Sequence, residues 1–277
     1  MVGTETSPAT WRLIVSDPCD GTTNMAVDQA IAEATILTEA PPTLRLYGWE
    51  PPCLSLGRNQ PCDDVDSGRC LELGFDTVRR ATGGRAILHV DELTYSVAGP
   101  AAEPRLRGGV LEVYQRLSAG LIDGLRRMGI EALTAPRVSQ EGEVVTAACF
   151  DVPSAHEVTV GERKLVGSAQ CRQAGWVLQH GSLPLGGDVA RIVDCLAFDS
   201  EEERESLRQA LRQRAVTAAQ VLGMDLSFER SAEALAEGFS TSLHVELRSD
   251  TLTPWERDRS EELRATRYAN EAWTLRR

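Results

Sequence analysis

Of the 29 basic side chains in these 277 residues, 28 are arginine and one, Lys164, is lysine. Arginine is planar and permanently charged, whereas lysine is a compact cation whose pKa moves with its surroundings. A position that keeps lysine against such a bias is either a leftover of composition or a place that needs what arginine cannot supply. A second concentration of chemistry is the run Arg79-Arg80-Ala81-Thr82-Gly83-Gly84-Arg85-Ala86-Ile87-Leu88-His89. Adjacent glycines let a backbone approach a ligand closely and can present free N–H groups. Three arginines around them suit an anion; the plain alternative is a hairpin turn. The seven cysteines are Cys19, Cys53, Cys62, Cys70, Cys149, Cys171 and Cys195. Their odd number and the lack of a Cys-x-x-Cys pair speak against a disulfide framework and against a structural zinc site. A free cysteine is usually a small buried residue, which leaves one or two for nucleophilic work. His156 follows Cys149 by seven residues, a spacing that allows a Cys–His pair. His89 and His180 are further candidates to orient or polarise a carbonyl, with a structural role as the alternative for each.

These residues need elements to carry them. Val27, Ala30, Ile31, Ala34 and Leu37 repeat at helical spacing behind Asn24, which is expected to cap that helix, and Pro41-Pro42 stops it. Alternation predicts strands over 43–49 and 53–56, and further short strands over 75–80, 85–89 and 93–98 around the Thr82-Gly83-Gly84 turn. Val110, Val113, Leu117, Leu121, Leu125 and Met128 mark a long amphipathic helix. Segments 156–160 and 163–169 flank Gly161-Glu162 as a hairpin, and 176–180 adds a strand. Helices are expected over 201–222, over 231–243 and after Pro254, where proline suits a first turn. Strands in the first two thirds and helices in the last third give an α+β fold rather than regular βαβ units, and no Rossmann or P-loop spacing occurs.

Composition bounds the function. Hydrophobic residues make up 42% and charged residues 25%, as in ordinary globular proteins. A net charge of −12 speaks against general nucleic-acid binding. No apolar run approaches the roughly 20 residues that cross a bilayer, and the first ten residues lack the pattern of a secretory signal. A cytoplasmic location with no membrane partner is expected.

Read in order, Tyr47-Gly48-Trp49, Pro52 to Gly57, the run from Arg79 to His89, Asp91 to Ser96, Arg163 to Gln170, Gln179 to Ser182 and Arg267 to Trp273 resemble the lipoate/biotin ligase and octanoyltransferase superfamily over nearly the whole chain. Thr146-Ala147-Ala148-Cys149-Phe150-Asp151-Val152-Pro153-Ser154 resembles the stretch in which the LipM-type octanoyltransferases carry their nucleophilic cysteine. An Arg-Asn-Asp stretch of the kind typical of the ligases is absent. The resemblance implies mixed β-sheets flanked by helices, a biotin/lipoate protein ligase-like catalytic domain. A single domain is expected, with a core over about 25–245 and a helical C-terminal tail over 246–277.

It also implies Cys149 as nucleophile, with Lys164 lowering its pKa. A neighbouring ammonium favours the thiolate and can depress a thiol near 8.5 by about a unit or more. The same lysine can exchange a proton with the leaving thiol or the incoming amine. Cys171 is the rival nucleophile. Arg79, Gly83, Gly84, Ala86 and His89 are expected to border the acyl channel, the loop N–H groups facing the thioester oxygen, with Tyr47 and Trp49 as walls. Arg79, Arg80, Arg85, Arg163 and Arg172 are expected to offer a basic surface to acidic carrier domains. The implied reaction moves octanoyl from octanoyl-acyl carrier protein to a lysine of a lipoyl domain, such as the glycine-cleavage H protein, in lipoate biosynthesis. A thioester is already activated, so no cofactor, ATP or metal is expected. The alternatives are an ATP-dependent lipoate–protein ligase, an amidotransferase moving octanoyl between lipoyl domains, and a non-catalytic carrier-binding protein.

Overall fold

The structure is a computed structural model that describes residues 9–135, 148 and 157–276. Its elements run β1 (Ala9–Val15), α1 (Gly21–Leu37), β2 (Thr43–Tyr47), β3 (Cys53–Leu56), α2 (Ser67–Glu72), β4 (Asp76–Arg79), β5 (Ile87–His89), β6 (Glu92–Pro100), α3 (Val110–Arg127), β7 (Leu133–Thr134), β8 (Val158–Val160), β9 (Arg163–Gln173), β10 (Trp176–Pro184), α4 (Glu201–Arg214), α5 (Ala218–Leu222), α6 (Phe228–Leu243), β11 (Val245–Ser249), α7 (Pro254–Leu263) and α8 (Glu271–Thr274). One sheet has the order β11-β1-β2-β6-β10-β9-β8-β7, and a smaller one the order β4-β3-β5. The pairs β11–β1, β1–β2 and β3–β4 are parallel, and the other pairs are antiparallel. These are the mixed sheets flanked by helices that the sequence pattern implies.

The large sheet is covered on both faces because successive side chains of a strand point opposite ways. Leu44 and Leu46 of β2 and Tyr95 and Val97 of β6 face α3 and α6, where they meet Leu117, Leu121, Leu235 and Phe239. Each large apolar side chain buried there stabilises the fold by about 1.5–3 kcal/mol. The two helices touch closely because a Cβ on Gly238 would run into the backbone nitrogen of Gly124. Arg45, Tyr47, Thr94 and Ser96, the alternate residues, are also buried. They point toward α1, whose Val27 and Ile31 pack on Ile14, Ala98 and Leu178. Polar side chains are therefore concentrated between α1 and the sheet, and the candidate site lies there.

Two expectations are corrected. The cap of α1 is Asp20, whose carboxylate accepts from the Thr23 amide at 2.9 Å. Asn24 sits inside the helix and ties the carbonyls of Cys19 and Gly48, each at 3.0 Å. The helix expected over 201–222 breaks at Ala215, which is extended, and Thr217 caps α5. There the chain pairs with β9 instead: Ala215 bridges Lys164, and the Val216 amide donates to the Lys164 carbonyl at 3.0 Å. The start of the chain contributes β1, which lies parallel to β11, and the tail expected to be helical carries α7 and α8 after that strand. Among the described residues no helix is long and apolar enough to cross a membrane.

Candidate active site

A cavity of about 20 Å³ lies where β3, β5, β6 and β10 converge, lined among others by Trp49, Ser55, Arg80, His89, His180 and Ser182. His89 ends β5 opposite Cys53 of β3, and Trp49 stacks on it with ring centroids 3.9 Å apart. Its Nδ1 lies 2.9 Å from Glu92 Oε1, and its Nε2 lies 2.8 Å from Ser55 Oγ. Glu92 also accepts from the hydroxyls of Thr94 and Ser182. Burial alone would raise the Glu92 carboxyl, but the charge of His89 and the hydrogen bonds from His89, Ser182 and Thr94 outweigh it and hold the pKa below its ordinary value. A carboxylate at Nδ1 fixes the proton there, so Nε2 accepts from the serine hydroxyl. The Ser55 oxygen in turn accepts from Arg80 Nη1 at 3.1 Å.

His180 of β10 is held the same way. Thr82 Oγ1 lies 2.7 Å from its Nε2, and Asp28 of α1 lies 3.4 Å from its Nδ1. Asp28 collects Arg45 at 2.9 Å, the Tyr47 hydroxyl at 2.8 Å and the Ser96 hydroxyl at 2.8 Å. Burial pushes the Asp28 carboxyl up, but the bond from His180 and the charges of Arg45 and His180 bring it below the usual carboxylate range. Burial lowers the pKa of His180, against the pull of Asp28.

The Gly83-Gly84 turn is exposed and is braced from behind. Arg80 donates to the carbonyls of Gly83 at 2.8 Å and Arg85 at 2.7 Å. Gly84 has φ +90°, a conformation that favours glycine, and a Cβ on Gly57 would collide with its carbonyl. Ala86 is buried and forms a parallel bridge with Ala148. Arg79 points away from the cavity. It is fully buried and donates to the carbonyls of Gly57 at 2.8 Å, Trp273 at 3.1 Å, Thr274 at 3.0 Å and Arg276 at 3.0 Å. The expected five-arginine surface is corrected accordingly, because Arg79 and Arg80 are buried among carbonyls. Arg163 is exposed, and Arg85 and Arg172 are half-buried.

Lys164 is fully buried, and its Nζ lies 2.6 Å from Glu157 Oε1. Cys149 and His156 lie outside the described residues. Cys171 is buried on β9, and burial pushes its thiol up. Among the described residues no group of three or more His, Cys, Asp and Glu could hold a metal ion.

Ser55, Glu92, Asp28 and Glu157 were not singled out by sequence reasoning. Glu92 alone carried a local signal, three residues past His89. A larger groove of about 640 Å³ opens beyond Trp49 and Glu92; among the described residues no histidine or cysteine lines it.

Residues 20–240 match the lipoyl protein ligase A/B catalytic domain. The octanoyltransferase LipM of Kyrpidia tusciae is 44% identical over 97% of this chain and 99% of its own length. That of Brevibacillus brevis is 41% identical over 96% and 99%. Among solved structures, a bipartite lipoate protein ligase from Thermoplasma acidophilum superposes with a TM-score of 0.80 at 23% identity, covering 98% of this chain and 97% of that one.

Proposed function

The chain belongs to the lipoyl protein ligase A/B catalytic family, and from that premise we propose that it is an octanoyltransferase working through a thioester on Cys149. The donor in this reading is octanoyl-acyl carrier protein, the acceptor is a lysine of a lipoyl domain such as the glycine-cleavage H protein, and the work is done in the cytoplasm as one catalytic unit. The observation that carries the reading is the bridge between Ala86 and Ala148. It ties the residue preceding Cys149 to the strand that continues from the Gly83-Gly84 turn through Ile87 into the cavity wall.

In the first step the Cys149 thiolate attacks the donor carbonyl, a new S–C bond forms, the carrier's own C–S bond breaks, and the carrier sulfur leaves as a thiolate. In the second, the neutral lysine amine attacks the enzyme thioester, a C–N bond forms, the C–S bond to Cys149 breaks, and the proton lost from nitrogen passes to the departing sulfur. Lys164 supplies the positive charge that favours the thiolate, and Glu157 holds that ammonium in place. N–H groups of the Gly83-Gly84 turn stabilise the oxyanion of each tetrahedral adduct. At about 20 Å³ the cavity is the size of one water. An eight-carbon chain therefore enters only as its lining, Met25 and Ile87 among it, gives way.

The test mixes enzyme, octanoyl-acyl carrier protein and apo H protein without ATP. Octanoylated H protein is expected, and Cys149→Ala abolishes it. Transfer that needs ATP and survives Cys149→Ala identifies a ligase instead. Transfer only from an already octanoylated protein identifies an amidotransferase.

A further inference from the structure

We propose that Arg58, Arg267 and Arg276, gathered around Trp273 beside the Gly83-Gly84 turn, form a docking surface for the acidic face of the donor carrier protein. The inference rests on the octanoyltransferase reading above and names the surface that seats its donor. Residues 264–277 hold four arginines against one carboxylate, Glu271, in a chain whose net charge is −12. Many surface arginines pair with a carboxylate of this chain, as Arg191 does with Asp91 at 2.8 Å, Arg212 with Asp188 at 2.7 Å and Arg259 with Glu33 at 2.6 Å. Arg85, next to the turn, is paired with Asp64 at 3.5 Å. Among the described residues, no carboxylate lies within 4.0 Å of Arg58, Arg267 or Arg276.

The surface is held in place from beneath. The buried guanidinium of Arg79 donates to the carbonyls of Gly57, Trp273, Thr274 and Arg276 and so pins the C-terminal segment to the loop after β3. Trp273 returns its indole N–H to the Arg79 carbonyl at 2.8 Å, and Arg276 donates to the carbonyl of Arg58. Arg267 donates to Gln29 of α1 at 3.2 Å. The guanidiniums of Arg267 and Arg276 lie 3.8 and 4.0 Å from the Trp273 ring centre. An aromatic face attracts a cation but supplies no counter-charge. The like charges are thus kept together without being neutralised; burial and the charges of Arg58 and Arg267 pull the Arg276 pKa below its ordinary value. Such a group repels itself, and an arriving anion relieves it.

The position suits the reaction. The Arg58 amide donates to the Thr82 carbonyl at 2.8 Å, and the Thr82 hydroxyl meets His180 on the cavity wall at 2.7 Å. A carrier seated on the three arginines therefore stands beside the Gly83-Gly84 turn. None of the three lines the cavity or the groove, and each is partly exposed. The group is therefore a face rather than a pocket for a small anion. A face of one sign steers in a protein surface of the opposite sign, while the overall charge of −12 opposes a nucleic acid.

The experiment times octanoyl uptake by the full-length enzyme, read by mass spectrometry. The donors are octanoyl-acyl carrier protein and the uncharged S-octanoyl-N-acetylcysteamine. Arg276→Glu, whose backbone carbonyl stays on Arg79, should lower the ratio of carrier rate to small-thioester rate about tenfold at low salt. The loss should sit in the KM for the carrier and fade at about 1 M salt, where the screening length is about 3 Å. Arg58→Gln and Arg267→Gln should each lower the ratio about threefold, and they keep the test alive if Arg276→Glu does not fold. Arg230→Glu, an exposed change in the first turn of α6, alters the net charge equally and should keep the ratio within about twofold. An unchanged ratio in all three variants, an equal loss with both thioesters, a loss indifferent to salt, or the same loss in Arg230→Glu overturns the proposal. An equal loss with octanoyl-phosphopantetheine, the carrier's arm without its protein, overturns it in favour of a phosphate site. A wild-type enzyme that takes up octanoyl from neither thioester overturns the underlying reading instead.

Discussion

Asp28→Asn tests how the polar layer under the cavity is held. Asp28 and Arg45 are each 1% exposed at the side chain and lie 2.9 Å apart, and the carboxylate also accepts from Tyr47 and Ser96. Asparagine keeps the shape but leaves the guanidinium without a counter-charge. Two unit charges about 4 Å apart interact by about 4 kcal/mol at an effective permittivity near 20. Removing one partner of a buried pair costs about 3–5 kcal/mol, so two routes agree. Unfolding entropy scales as about 2.1 cal/mol/K per residue, which for 277 residues is roughly 0.6 kcal/mol/K. The midpoint of thermal unfolding should therefore fall by about 7 °C. Ser96→Ala, which removes one neutral hydrogen bond worth about 1 kcal/mol, calibrates the measurement at about 2 °C. Calorimetry at pH 7.5 checks both. An Asp28→Asn shift no larger than that of Ser96→Ala would refute the view that the charge pair, rather than shape, holds this layer.

Acidification acts through the same residues. Folding lowers the pKa of both His180 and Asp28, so the unfolded chain takes up each proton at a higher pH than the folded one. Stability should fall below about pH 6.5 through His180 and again below about pH 4 through Asp28. His180→Gln should flatten the first limb in a pH series of melting curves. Arg79→Met removes the donor shared by Gly57 and the C-terminal segment. Each buried carbonyl left without its donor costs about 1–3 kcal/mol, and the change should speed tryptic cleavage after Arg264 and Arg267, read by timed digestion. Lys164→Ala should reduce the alkylation rate of Cys149 at pH 7 about tenfold, the effect of about one unit on a thiol pKa; an unchanged rate removes Lys164 from thiolate formation.

The parts of this architecture legible in the sequence are those written in neighbouring residues. The stripe of α3, the Gly161 turn between β8 and β9, the strands around Gly83-Gly84 and proline at the start of α7 all announce themselves within a few positions. The hydrogen bonds that define the site do not. Ser55 meets His89 across 34 residues, Asp28 meets His180 across 152, and β1 pairs with β11 between opposite ends of the chain. Each partner taken alone is an ordinary strand or helix residue, and only the sheet order brings it to its mate. The breaking of the expected 201–222 helix has the same origin, since residue 215 leaves a good helical pattern to bridge Lys164. Asp20 caps α1, while Asn24, inside the helix, donates to the carbonyls of nearby Cys19 and distant Gly48.

The thioester can be observed directly. Enzyme mixed with octanoyl-acyl carrier protein, with no acceptor present, is digested and the acylated peptide is identified by mass spectrometry. The account predicts a hydroxylamine-labile octanoyl group on Cys149 that disappears on adding apo lipoyl protein and persists in Cys171→Ala. Protein that stays unmodified while transfer proceeds, or a label on Cys171, contradicts it.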